Sequence, residues 1–291
     1  MKKDQNTHGN DSPFIVIFTD LDGTLLDHDT YQWDMAKPAL GMCKRLHIPI
    51  VMVSSKTRAE MDILRKKVGL SSPFISENGG GIFFPAEGLE DAPAGTIIAK
   101  NIFKWEMGTP YGILIKALGE IRDELGLPIR GLSEMSVEEI SRLTNLDLEE
   151  ARLAATRDFD EPFIIPGHQN IDTNALEKAA QKRGLQITTG GRFFHILGKN
   201  DKGGAVNALI SWYKQSHPYL FSIALGDSPN DFSMLRQVDQ AILVRSSTKH
   251  PTIAKEIPGI KVTLEKGPKG WNTAILELLD KKIQGGISNN V

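Results

Sequence analysis

The sequence predicts an α/β fold, a doubly wound parallel sheet interrupted by an inserted α+β unit. Three observations carry this expectation. Near both ends of the chain, short apolar runs alternate with segments of helical periodicity. Those runs are apolar throughout, as strands covered on both faces should be. Between the two stretches the pattern changes to longer helical segments with strands around them.

Taken in order, "FIVIF" from Phe14 is a buried strand, and "MAKPALGMCKRLHI" is a helix with Pro38 in its first turn. "PIVMVSS" is a second strand. "TRAEMDILRKKVGL" is a helix ending at Gly69, and "PFISENGGGIFF" is a third strand that turns at glycines. This βαβαβ order is that of a parallel sheet. "PAEGLEDAPAG" then breaks the pattern with Pro and Gly. In "PYGILIKALGEIRDELG", Ile113, Leu114, Ala117, Leu118, Ile121 and Leu125 fall on one helical face. Ser136 with Glu139 forms a capping box, and Asp147 stands in the equivalent place one helix later. "FII" and "QITTGGRFFHIL" read as strands around the helix "NALEKAAQKRG". From Lys199 the α/β pattern resumes through "GGAVNALISWYKQ", "FSIALGD", "PNDFSMLRQV" and "QAILV". The expected organisation is a discontinuous core, 13–84 and 199–280, with an insert at 85–198. Residues 1–12 and 284–291 read as disordered tails.

Composition narrows the function. A net charge of −2 gives no electrostatic case for nucleic acid or an anionic membrane. No apolar run is long enough to span a bilayer. "MKKDQNTHGNDS" has no apolar stretch behind its lysines and is not a signal peptide. Cys43 is the one cysteine, so no internal disulfide forms, and a cytoplasmic location is expected. The sequence does not set the oligomeric state.

The chemistry begins at "FIVIFTDLDGTLLD", where a buried strand runs into Asp20 and Asp22. At the C-terminal end of a parallel strand, side chains reach the crevice where such sheets bind ligands. Two close carboxylates repel unless a cation compensates them, and the natural compensator with hard oxygen ligands is Mg²⁺. The alternative, that both aspartates cap the next helix, is weakened by the later strand ends. One ends in Ser54 and Ser55, another in Asp227, Asn230 and Asp231, and Lys202 stands at a helix entry. Carboxylates, a hydroxyl and an ammonium together form the inventory for phosphoryl transfer. No P-loop is present, which disfavours a nucleotide-driven kinase.

These four stretches resemble the four motifs of the haloacid dehalogenase superfamily. The resemblance covers nearly the whole chain and implies a Rossmann-like core with a large α/β cap. It implies that Asp20 is the nucleophile forming an aspartyl-phosphate, Asp22 the general acid/base, Ser54 a phosphate-binding hydroxyl and Lys202 the steadying lysine. Asp20, Asp22 (through its backbone carbonyl) and Asp227 would hold Mg²⁺, with Asp231 and Asn230 behind them.

Sugar-phosphate members usually carry Thr-Gly-Arg after the second strand; here it is "SSKT". With "SENGGGI", "RDFDEPF", "GGRFFHIL" and "EKGPKGW", the set resembles the mannosyl-3-phosphoglycerate phosphatase family. That implies a small phosphorylated sugar-glycerate substrate. The glucosyl compound, general sugar phosphates and a phosphomutase reaction stay open. A non-catalytic sensor would require a broken set, and Asp20, Asp22, Lys202 and Asp227 are all present. Lys56 and Arg192 are candidates for the substrate's anionic groups, and His195 and Glu161 for its hydroxyls. Glu77 and Asn78 close the third strand with some contact to substrate or metal-bound water. "GPKGW" is expected as a loop near the cleft, with Trp271 in the core. Domain hinges are expected near 84–88 and 198–201.

Overall fold

In the computed structural model, residues 13–86, 93–99, 102–167, 173–190, 193–247 and 256–287 are described. The chain starts with β1 (Phe14–Thr19), α1 (Lys37–Arg45), β2 (Ile50–Val53), α2 (Arg58–Val68), β3 (Phe74–Ser76) and β4 (Gly81–Pro85). Two short strands, β5 (Ile97–Ala99) and β6 (Ile102–Glu106), follow. The middle of the chain contains α3 (Tyr111–Leu125), β7 (Arg130–Gly131), α4 (Val137–Thr144), α5 (Leu148–Ala154), β8 (Asp160–Ile164), α6 (Thr173–Gln181), β9 (Gln186–Gly190) and β10 (Phe193–Leu197). It closes with α7 (Lys202–Ser216), β11 (Leu220–Gly226), α8 (Phe232–Leu235), β12 (Gln240–Arg245), β13 (Lys261–Lys266) and α9 (Gly267–Ile287).

The large sheet has the order β13-β12-β11-β1-β2-β3-β4-β6-β5. Its pairings are parallel from β13 to β3 and antiparallel beyond. Strand periodicity explains why both faces are covered. Ile17 of β1 joins Met61 of α2 and Trp271 and Ile275 of α9 on one face. Val16 and Phe18 join Val206 and Leu209 of α7 on the other. The α/β expectation is borne out. Strands β5 and β6 fall inside the 85–198 segment expected as the insert, yet they are hydrogen-bonded into the large sheet, which therefore continues to Glu106. The first crossing between the two sheets lies after β6, beyond the hinge expected near 84–88; residues 87–92 lie outside the described residues.

The second sheet is antiparallel throughout, in the order β7-β8-β10-β9. Leu114, Ala117, Leu118 and Ile121 of α3 pack on it with Leu176 of α6, Phe163 and Ile196. Ile113, expected on that face, is 54% exposed, because the apolar stripe of α3 is narrower than its composition suggests. Ser136 and Asp147 both form the expected capping boxes. "GPKGW" opens α9 instead of forming a loop, and Trp271 is buried. Helix α9 also runs through Ile287, past residue 284 where a tail was expected; residues 1–12 lie outside the described residues. No helix among the described residues is long and apolar enough to cross a membrane.

Candidate active site

The position of Asp20 is set by strand pairing. Its backbone N–H donates to the Leu225 carbonyl at 2.9 Å, extending the β1–β11 ladder by one residue. Below it, the Thr19 hydroxyl donates to the Asp20 carbonyl at 2.7 Å and accepts from Trp271 Nε1 at 3.0 Å. The chain then turns at Gly23, where φ is +81° and a Cβ would stand 2.8 Å from Asp227 Oδ2. Conformation and space both require glycine there.

Lys202 opens α7 and is 1% exposed. Its Nζ donates to Asp20 Oδ1 and to Asp231 Oδ1, each at 2.6 Å. The other oxygen of Asp231 accepts from the backbone N–H groups of Asp227 and Ser228, at 3.0 and 3.1 Å. Asp227 Oδ1 accepts from the Thr24 hydroxyl at 3.2 Å. One oxygen from each of Asp20, Asp227 and Asp231 lies within 4.8 Å of the others. A single ammonium thus faces three carboxylates. Burial, reinforced by Asp231, raises the Asp20 carboxyl well above its ordinary range and pushes Asp227 up to about 6. Such a cluster of hard oxygens could hold a metal ion. Both oxygens of Asp231 are already engaged, whereas Asp20 and Asp227 each keep an oxygen that makes no hydrogen bond among the described residues.

Asp22 points elsewhere. Its Oδ2 pairs with Lys56 Nζ at 3.0 Å, while Oδ1 is buried without a hydrogen-bond partner. Burial would lower the Lys56 ammonium, but Asp22 and Glu60 outweigh it and raise it. Lys56, read from the sequence as a substrate contact, therefore has Asp22 as its partner. Ser54 is buried at the end of β2, and its hydroxyl accepts from the Lys56 N–H at 3.2 Å. Asn230 is exposed and accepts from the Ser228 hydroxyl.

A cleft of about 270 Å³ separates the two sheets beside Lys202. Ser55, Asn78 and Asn230 line one wall, and Thr188 and His195 of the small sheet line the other. Glu161 does not reach it. Register pairs Glu161 with Ile196 and His195 with Pro162, so alternation turns Glu161 to the opposite face of the sheet from His195. There it is fully buried, accepting from the Tyr111 hydroxyl at 2.6 Å and from the Ser133 hydroxyl at 2.7 Å. Glu77 is also fully buried and joins the two units. Its carboxylate accepts from the Phe159 N–H at 2.7 Å and the Asp158 N–H at 3.1 Å, and burial pushes it up to about 7. Arg192 lies outside the described residues. Sequence reasoning passed over Arg157 and Asp160, an ion pair behind the cleft wall in which Asp160 is fully buried and Arg157 half-buried.

Residues 17–106 match the family model described as haloacid dehalogenase-like hydrolase. The glucosyl-3-phosphoglycerate/mannosyl-3-phosphoglycerate phosphatase of Methanococcoides burtonii is 41% identical over 91% of this chain and 97% of its own length. The chain belongs to this phosphatase family of haloacid dehalogenase-like hydrolases. The mannosyl-3-phosphoglycerate phosphatase of Pyrococcus furiosus is 34% identical over 86% of this chain and 98% of its own. A solved Thermoplasma acidophilum structure superposes with a TM-score of 0.66 at 20% identity, covering 92% of this chain and 99% of that one, which is a likeness of fold. In this haloacid dehalogenase-like hydrolase, the "DLDGT" stretch thus contributes Asp20 to the acidic cluster, and the stretches "DEPF" and "FFHIL" form paired strands of the cleft wall.

Proposed function

We propose that this chain is a Mg²⁺-dependent phosphatase that hydrolyses mannosyl-3-phosphoglycerate, and its glucosyl counterpart, to the sugar-glycerate and phosphate. It would act in the cytoplasm on this small-molecule substrate. The observation that carries the proposal is Asp20 at the end of a buried strand, held by Lys202 and faced by Asp227 across the acidic cluster. Family membership supports the substrate class.

Asp20 attacks phosphorus, the bond to the leaving oxygen breaks, and an aspartyl-phosphate forms. Asp22 protonates the leaving oxygen, then takes a proton from the water that opens the acyl-phosphate, so one carboxyl works twice. Its unpartnered Oδ1 is the atom available for that transfer. Lys202 steadies Asp20 and adds positive charge at the transferring group, and the Ser54 hydroxyl binds a phosphoryl oxygen. Mg²⁺, held by Asp20 and Asp227 with the Asp22 carbonyl and backed by Asp231, would supply the charge that offsets repulsion between a carboxylate and the phosphoryl oxygens.

The test is phosphate release, with Mg²⁺, from the mannosyl and glucosyl compounds, several hexose phosphates and p-nitrophenyl phosphate. The two sugar-glycerate phosphates should be turned over most efficiently. Asp20→Asn should lower turnover by roughly 10⁶-fold, as removal of a nucleophile does elsewhere. Asp22→Asn should slow turnover and accumulate phosphoenzyme. Equal efficiency on hexose phosphates sinks the substrate assignment; full activity of Asp20→Asn sinks the nucleophile assignment.

A further inference from the structure

Behind His195, a string of charged side chains runs from the cleft through the buried Asp160 to the backbone of Ser55. His195 Nδ1 lies 3.0 Å from both carboxylate oxygens of Asp160, which is fully buried. Asp160 Oδ2 also accepts from Arg157 Nη1 at 3.4 Å, and the same nitrogen donates to the Ser55 carbonyl at 3.3 Å. Ser55 directly follows Ser54, so the string ends on the loop that carries the phosphate-site hydroxyl. Register explains the meeting: Leu197 pairs with Asp160 and His195 with Pro162, so Asp160 and His195 share one face of the small sheet as diagonal neighbours.

The chemistry of the pair fixes the ring. Complete burial would raise the Asp160 carboxyl, but His195 and then Arg157 outweigh it and hold it below the ordinary range. An ionised carboxylate only accepts, so Nδ1 carries the hydrogen. Nε2 is then the atom that His195 offers to the cleft it lines. In the neutral ring Nε2 is an acceptor, suited to a hydroxyl donor. Thr188, directly opposite on β9, brings a second hydroxyl-binding group to the same wall.

We propose that Asp160 and Arg157 are positioning residues, which hold His195 with Nε2 toward the cleft to bind a hydroxyl of the leaving group and tie that contact to the Ser54 loop. The identity of the leaving group rests on the phosphatase proposal above; the hold on His195 does not.

Two measurements test it on the full chain. Long-range ¹⁵N–¹H NMR on the Mg²⁺-loaded protein reads the imidazole tautomer, with the His195 signal identified by its loss in His195→Gln. The Nδ1–H form is expected, and Asp160→Asn should abolish that preference, because an amide can donate as well as accept. With mannosyl-3-phosphoglycerate, Asp160→Asn and His195→Asn should each raise KM roughly tenfold with kcat nearly kept, the weight of one charge-assisted hydrogen bond. The double variant should be no worse than His195→Asn alone. His195→Gln, whose amide reaches toward the Nε2 position, should recover part of the loss. An Nε2–H tautomer in the wild type, or losses that multiply in the double variant, would overturn the proposal. If Asp160→Asn does not fold, the wild-type tautomer and the contrast between the Gln and Asn variants at 195 decide. If the wild type hydrolyses no sugar-glycerate phosphate, the function proposal fails while the tautomer still reports on the hold.

Discussion

Lys202 cannot neutralise Asp20, Asp227 and Asp231 together, and that shortage has a pH signature. Asp227 ordinarily titrates at 3.8 and is raised to about 6 by burial and by Asp231. Between those values the folded chain keeps a proton that the unfolded chain has released. Stability contributed by this group therefore falls as pH rises through the window, and Asp20, shifted the same way, carries the fall higher. A divalent cation reverses the balance, since it binds the ionised carboxylates and displaces their protons. The expected outcome is a Mg²⁺-induced rise in Tm, relative to chelator, that is larger near about pH 8 than near about pH 5. Asp227→Asn should remove most of that rise. Thermal melts at the two pH values check this; a rise of equal size at both, or one that survives in Asp227→Asn, contradicts the assignment of these carboxylates to the cation.

Helix α2 shows how one sequence-visible cap does two tasks. The Thr57 hydroxyl accepts from the Glu60 N–H at 3.2 Å, and it donates to the Leu153 carbonyl of α5 at 2.9 Å. Thr57→Ala should cost about 1–2 kcal/mol in urea unfolding, a cap plus a tertiary hydrogen bond, and Thr57→Ser should restore most of it. No loss in the alanine variant would mean that neither bond contributes. The signal of this cap is local, Thr57 with Glu60 three residues on, although the sequence reading named only the helix and its end at Gly69; the contact to Leu153 has no local mark at all. The same division runs through the site. Asp20, Ser54, Lys202 and Asp227 stood out as candidates because each sits where a strand ends or a helix starts, and the sequence marks those places. The wall of the cleft could not be assigned so directly. As a strand, "DEPF" puts Asp160 and Glu161 on opposite faces, but only pairing with "FFHIL" decides which face meets the cleft, and it chose that of Asp160. Likewise, Glu77 had the composition of a ligand and became a buried acceptor for the Asp158 and Phe159 amides.

At the scale of the whole molecule, the two sheets are joined where the chain leaves β6 and where it returns after β10. The two crossings touch. A Cβ on Gly198 would stand 2.5 Å from the Thr109 hydroxyl oxygen and 2.9 Å from the Thr109 backbone nitrogen. The sequence placed the first crossing too early because an antiparallel extension of a parallel sheet has no local mark; β4 and β6 are recognised as partners only by their pairing. Gly198 does not itself line the cleft, although Leu197 before it does, as does Asn200, whose Oδ1 would stand 3.0 Å from that Cβ, so its replacement probes the geometry of the crossing and the cleft edge beside it. In Gly198→Ala the methyl meets backbone, which cannot rotate away as a flexible side chain would, and the crossings must part. The cost should be about 1–3 kcal/mol, that of forcing extra volume into a packed contact. Because Thr188 and His195 belong to the sheet that these crossings position, KM for mannosyl-3-phosphoglycerate should rise several-fold, roughly the loss that misplacing a binding group produces. Turnover of p-nitrophenyl phosphate, which has no sugar-glycerate to place against that wall, should stay within about threefold, since Asp20 and Lys202 are carried by the other sheet. Urea unfolding with steady-state kinetics on both substrates separates the outcomes. Equal loss on the two substrates would mean that the crossings support the chemical centre itself, and unchanged stability would mean that they part without resistance.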